Sequence, residues 1–157
     1  MDPGGLGPGR GADLVLELPT PWAVSGAERF ARGGVELLKK TGVVTHLAFG
    51  SECGDTETLK AVAAALESES FAAYLRQGLQ EGVSFAAARE AAARKLLGEK
   101  AAVLAQPNDI LGVEYCKAVA RQNAVMEPLA LPRRGRRDTT AARRRASPPR
   151  ATSASCS

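Results

Sequence analysis

Short apolar runs and longer stretches of helical period alternate along the chain. Asp13–Leu18, Asp-Leu-Val-Leu-Glu-Leu, predicts a short strand closed by Pro19 and Pro21. Ser25-Gly-Ala-Glu28 fits a capping box, and the helix it would start carries Ala27, Phe30, Gly34, Leu37 and Leu38 on one face. Lys39 and Lys40 suit the helix C-terminal dipole, and Gly42 suits the residue that ends the helix. Val43–Phe49 predicts the next strand. This β, α, β order leaves enough chain for a right-handed parallel crossover.

The second apolar run stops at Gly50, and Ser51-Glu-Cys-Gly54 follows before Asp55-Thr56 opens another helical pattern. That is a strand, a glycine-bounded turn and a helix start. Ligands of open α/β sheets sit at such carboxyl ends of strands. Gly50 allows close backbone approach, Gly54 permits a positive φ, and Asp55 can cap the next helix. An ordinary βα loop with no ligand has the same spacing.

Leu59, Val62, Ala63 and Leu66 share one side of the helix that runs to about Ser68. A second helix is expected from Glu69 to Gln80, and a third over Ser84–Leu97, with Ser84 as its cap and a break at Gly98-Glu99-Lys100. Three consecutive helices read as a helical insertion beside the α/β core. Gln106-Pro107-Asn108-Asp109 signals a helix start, and Leu111, Tyr115, Ala118 and Val119 continue it to about Asn123. Met126–Leu131 predicts a last strand. The core expected from these elements is a small parallel sheet with strands near 13–18, 43–49 and 126–131.

Composition narrows the class. The 157 residues are one domain's length, 45% hydrophobic but only 4% aromatic, and rich in helix-favouring alanine. No run of about 18 apolar residues predicts a membrane span, and the first residues have no secretory signal pattern. Cys53, Cys116 and Cys156 lack metal-ligand spacing and suggest no disulfide framework, so a reducing, cytoplasmic setting is expected. The net charge of +4 is unevenly placed: from Arg133 onward eight arginines and one aspartate give +7, leaving −3 for the rest. A basic interaction with RNA would rest on that tail. Residues 1–10, Gly- and Pro-rich, and 135–157, rich in Arg, Ser and Pro, are expected to be disordered, with a folded unit over 11–134.

Single residues leave alternatives open. His46 is the only histidine, so no two-histidine metal site can form. Cys53 lies before a helix N-terminus, where a thiol pKa can fall, but no histidine base is near it in sequence. Glu52 and Asp55 could pair as acids or simply line a solvated turn. Asn108 could cap its own helix or offer its amide to a ligand; chemistry alone favours the cap. Arg133 and Arg134 could bind phosphate or begin a basic tail.

Four stretches in order, Gly11–Pro19, Ala23–Ala31, Phe49-Gly-Ser-Glu-Cys-Gly-Asp55 and Pro107-Asn-Asp-Ile-Leu-Gly-Val-Glu-Tyr115, resemble the bacterial tRNA(Met) cytidine acetate ligase family of the nucleotidyltransferase-like superfamily. The resemblance covers about residues 11–134. It implies a Rossmann-like α/β fold with a partial parallel sheet, and an enzyme that uses ATP, with Mg2+, to turn acetate into acetyl-adenylate. That intermediate acetylates N4 of the wobble cytidine of elongator tRNA(Met). The resemblance places nucleotide contacts on Gly50, Asn108 and Arg133, with Arg134 as the other candidate for the last. The resembled pattern also opens with an Asn-Pro-Phe-His-x-Gly-His turn that holds the ATP phosphates, and continues after the arginine with a His-Asp pair and Ile-Ala-Ser-Ala. Neither occurs among these residues. The expectation is therefore the middle of such an enzyme, truncated in front and open to a shifted reading frame behind, and inactive by itself. The competing readings are a non-catalytic nucleotide- or RNA-binding remnant and another adenylyl-transferring nucleotidyltransferase. Translating the other frames upstream of Gly11 and downstream of Arg134 separates them.

Overall fold

A computed structural model describes residues 11–133. The expectations for 1–10, Arg134 and 135–157 lie outside the described residues. Element order is α1 (Thr20–Ala23), α2 (Ala27–Thr41), β1 (His46–Ser51), α3 (Thr56–Leu66), α4 (Glu69–Gln80), α5 (Phe85–Leu97), a 3-10 segment Gly98–Ala105, α6 (Pro107–Arg121) and β2 (Glu127–Pro132).

The two strands pair in parallel, His46 opposite Glu127 through Ser51 opposite Pro132. They are connected by α3 to α6, so the long helical excursion is the crossover itself. The expected third strand does not form. Asp13–Leu18 has no ladder partner, and Leu14, Val15 and Leu16 are exposed. Alternation alone is not enough: a strand needs a neighbour to take its N–H and C=O groups. The other two strands begin and end later than the apolar runs suggest, because pairing rather than hydrophobicity sets their limits; Gly50 lies inside β1.

Helix ends follow local chemistry where the expected cap is close to the backbone it serves. Ser84 accepts from the Ala87 N–H as expected, and Ser68, expected only to end the preceding helix, caps the next one by accepting from the Phe71 N–H. Asp55 accepts from the Glu57 N–H at 3.1 Å, and the Thr58 hydroxyl bonded to it holds its carboxyl below the usual range. Gly42 ends α2 with φ of 72°. The capping box does not form. Gly26 is the N-cap of α2, and the Ser25 hydroxyl donates to the Trp22 carbonyl at 2.6 Å, finishing the short α1 instead. The indole of Trp22 then sits over Gly33, whose added Cβ would come within 2.7 Å of the ring. This shifts the most buried face of α2 to Ala31, Gly33 and Val35, leaving the expected Phe30, Leu37 and Leu38 half-buried.

One face of the sheet, Leu47, Phe49 and Ser51 with Pro128 and Ala130, turns inward. Leu47 and Met126 pack with Ala31 and Val35 of α2, and Ala130 packs with Leu59, Val62, Val113 and Cys116 of α3 and α6. Gly112 lets α6 come against the sheet: a Cβ there would lie 2.7 Å from Phe49 and 2.9 Å from Leu59. A third cluster, Phe71, Ala92 and Ala93, joins α4 to α5. Arg121 ties α6 to two neighbours, bonding Glu67 at 2.7 and 2.8 Å and Glu28 of α2 at 2.8 Å. Among the described residues no helix is long and apolar enough to cross a membrane.

Candidate functional site

The carboxyl end of β1, the turn behind it, the first turn of α6 and the end of β2 meet at one place. Ser51 is fully buried, and its hydroxyl donates to Asp109 Oδ1 at 2.5 Å while accepting from the Gly54 N–H at 2.9 Å. The N–H groups of Glu52 and Cys53 also donate to the Asp109 carboxylate, at 2.8 and 3.2 Å. Asp109 is 1% exposed, so these donors replace the water it gives up. Glu52 returns the contact. Its Oε2 accepts from the Asp109 N–H at 3.1 Å and its Oε1 from Asn108 Nδ2 at 2.5 Å. The β1–α3 turn and the N-terminus of α6 thus clasp each other through two carboxylates.

Asn108 is consequently not a cap. Gln106 occupies the N-cap position and Pro107 begins the helix, with Asn108 one residue further on and its amide turned to Glu52. The amide group facing Glu52 must be the NH2, because a carboxylate only accepts. That leaves Oδ1 as the remaining acceptor of the Asn108 amide.

Arg133 follows β2 directly. Its N–H donates to the Ser51 carbonyl at 2.8 Å, extending the ladder by one bond. Its side chain lies along Gly50, where an added Cβ would come within 3.1 Å of Arg133 Cγ and 3.2 Å of Cδ. Gly54 has φ of 63° and packs on Pro132, at 2.7 Å for an added Cβ. Gly50 and Arg133 are therefore side by side, and Asn108 is bound to Glu52, two residues beyond Gly50. Arg134 lies outside the described residues.

The remaining candidates separate. His46 starts β1, and Ser51 ends it about 16 Å away at the usual rise per residue. Its ring faces the Thr45 hydroxyl at 3.0 Å. Cys53 is exposed, 3.4 Å from the Ser51 hydroxyl, with no imidazole beside it. Glu52 and Asp55 do not pair: one holds α6 and the other caps α3. Asp109 is the residue that sequence reasoning undervalued. Its position marks a helix start, whereas its side chain reaches back to a turn 56 to 58 positions earlier. The available signal was an acid in the first turn of a helix whose next residues, Ile110 and Leu111, are apolar.

Two clefts among the described residues lie away from this place. One of about 950 Å3 runs between α5 and the 3-10 segment, and one of about 360 Å3 lies between α3 and α6. Gly50 and Arg133 are both exposed.

The sequence of residues 9–156 matches the family described as HIGH Nucleotidyl Transferase. A tRNA(Met) cytidine acetate ligase of Halothermothrix orenii is 43% identical over 138 residues, covering 80% of this chain and 33% of that protein. One of Acetivibrio thermocellus is 41% identical over 128 residues, covering 78% of this chain and 31% of that protein. Among solved structures, Thermotoga maritima TmcAL bound with alpha-thio ATP superposes with a TM-score of 0.73 at 36% identity, over 85% of this chain and 34% of that one. Its apo form gives a TM-score of 0.73 at 35% identity. The chain spans about a third of the length of the curated relatives it matches.

Proposed function

Because the chain belongs to the HIGH nucleotidyl transferase family, we propose that it forms part of a tRNA(Met) cytidine acetate ligase and contributes to ATP binding there. The observation that carries this reading is Arg133 laid along Gly50 at the carboxyl ends of two parallel strands. The names of the relatives and the ATP analogue in the Thermotoga maritima protein support it.

In the proposed reaction an acetate oxygen attacks the α-phosphorus of ATP. The new O–P bond replaces the bond to pyrophosphate, which leaves. The N4 amine of the wobble cytidine in elongator tRNA(Met) then attacks the acetyl carbonyl, loses a proton and releases AMP. In this scheme Arg133 neutralises phosphate charge, and Gly50 keeps the backbone low enough for the nucleotide to approach. Asn108 takes a hydrogen bond from the nucleoside. These contacts act on ATP before and during the reaction alike, so they raise affinity more than rate. Mg2+ is expected to arrive on the triphosphate; no group of three or more His, Cys, Asp or Glu that could hold it is present among the described residues. A tRNA substrate places the protein in the cytoplasm.

Titrating the purified chain with ATP tests the site. Saturable binding that weakens about tenfold in Arg133→Ala and in Asn108→Ala is expected, the scale of one hydrogen bond. Binding unaffected by both variants would refute the site. Acetate-dependent exchange of labelled pyrophosphate into ATP tests the reaction separately.

A further inference from the structure

We propose that Glu52 is a positioning residue that fixes the hydrogen-bonding sense of Asn108, so that the nucleotide site presents an acceptor and selects a nucleoside group that donates. The inference rests on the reading of Asn108 as a nucleotide contact, and it names what that contact prefers.

The argument is one of donors and acceptors. An asparagine amide has two ends of nearly equal shape and opposite character, and an unconstrained one can turn either end to a ligand. Here both oxygens of Glu52 are used. Oε2 accepts from the Asp109 N–H and Oε1 accepts from Asn108 Nδ2. The second contact permits only one orientation of the amide, because two oxygens facing each other would repel. The first holds the carboxylate in place, since the Asp109 N–H is fixed by the helix. Asp109 adds the return contacts to the N–H groups of Glu52 and Cys53. The backbone that carries Glu52 is therefore anchored to the same helix turn that carries Asn108. Oδ1 is the free end, and it can accept from a ribose hydroxyl or an exocyclic amine.

Replacing Glu52 by Gln tests this with almost no change of shape. The Asp109 N–H still requires an oxygen, so the new amide turns its own oxygen there and its NH2 towards Asn108. Asn108 must then flip, presenting its NH2 to the ligand. Sense is inverted while size is kept.

The experiment measures affinities of the 157-residue chain and of Glu52→Gln and Glu52→Ala for ATP, 2′-deoxy-ATP, 3′-deoxy-ATP and purine riboside triphosphate, which lacks the exocyclic amine. Thermal melts confirm that each variant folds. In the wild type, the analogue missing the recognised donor is expected to bind about tenfold more weakly than ATP, one hydrogen bond's worth. Which analogue shows the loss tells ribose from base. In Glu52→Gln that ratio is expected to fall below about twofold, and in Glu52→Ala to an intermediate value. A purely structural Glu52 would weaken all four ligands together and leave the ratio intact, which would overturn the inference. So would equal binding of all analogues by a wild type whose ATP affinity still depends on Asn108. If ATP does not bind, or Asn108→Ala leaves binding unchanged, the nucleotide reading itself fails, a result distinct from the others.

Discussion

At the scale of single residues, Asp109 ties the turn after β1 to the first turn of α6. It is buried, and it receives one hydroxyl and two backbone N–H groups from the turn after β1. Asp109→Ala would leave those donors without partners inside the protein. Hydrogen bonds to a charged group contribute about 1.5–3 kcal/mol each, and buried donors left unpaired cost more than the bond itself. We expect Asp109→Ala to lower unfolding free energy by roughly 3 kcal/mol or more in denaturant titration. Asp109→Asn should fall between, since one of its two ends can still accept. A loss below about 1 kcal/mol in Asp109→Ala would mean that water replaces the carboxylate. The sequence pointed to the right turn and the right helix start, but not to their contact. Gly50, Glu52, Asn108 and Arg133 stand out by residue type and by resemblance. What joins Glu52 to Asn108 and Asp109 is a tertiary hydrogen-bond set across 56 and 57 positions, and no local pattern encodes that.

At the scale of elements, helices were more legible than strands. A helix closes its hydrogen bonds locally, so Ser84, Asp55 and Gly42 mark true ends. A strand depends on a partner, so Asp13–Leu18 has the composition of one without becoming one, and β1 extends past Gly50 because β2 continues beside it. The capping box failed for a related reason: Ser25 had a nearer acceptor in the Trp22 carbonyl. Helix α6 makes the element-scale prediction, because burial raises two of its acidic groups. Burial pushes the Cys116 thiol up to about 11, and the Tyr115 hydroxyl rises for the same cause. A raised folded-state pKa means that the neutral thiol is the form the fold accepts. Its contribution is complete below the unfolded value of 9.0 and is lost as pH rises towards about 11. Denaturation midpoints should therefore be flat from pH 7 to 8.5 and fall between pH 9 and 11. In Cys116→Ala the fall should be smaller, after an offset for the lost packing. An identical alkaline fall in both proteins would assign the effect to Tyr115 or to the lysines. Thiol reagents at pH 8 should label Cys53, which is exposed, long before Cys116.

At the scale of the whole molecule, charge and sheet divide the chain into unlike parts. The sheet of described residues has two strands, with helices on one face; Leu129 and Leu131 on the other face remain 44% and 49% exposed. The helical excursion between the strands supplies most of the remaining packing, through the α4–α5 cluster and the Arg121 ion pairs. The residues before Arg133 sum to −3, and everything positive in the net charge comes afterwards. Affinity for RNA should therefore depend on the arginines near the end, whatever specificity the full reaction has. Residues 135–157 hold six of those eight arginines. Each phosphate neutralised on single-stranded RNA steepens the plot of log affinity against log salt by about 0.7. Deleting 135–157 should reduce that slope by up to about four, and should remove most binding at low salt, read by fluorescence anisotropy with a short labelled RNA between 50 and 200 mM salt. ATP affinity should be unchanged by the same deletion, because the proposed contacts Gly50, Asn108 and Arg133 are retained. An unchanged salt slope would place the RNA contact on the acidic body, through lysines and arginines grouped locally on one of its faces.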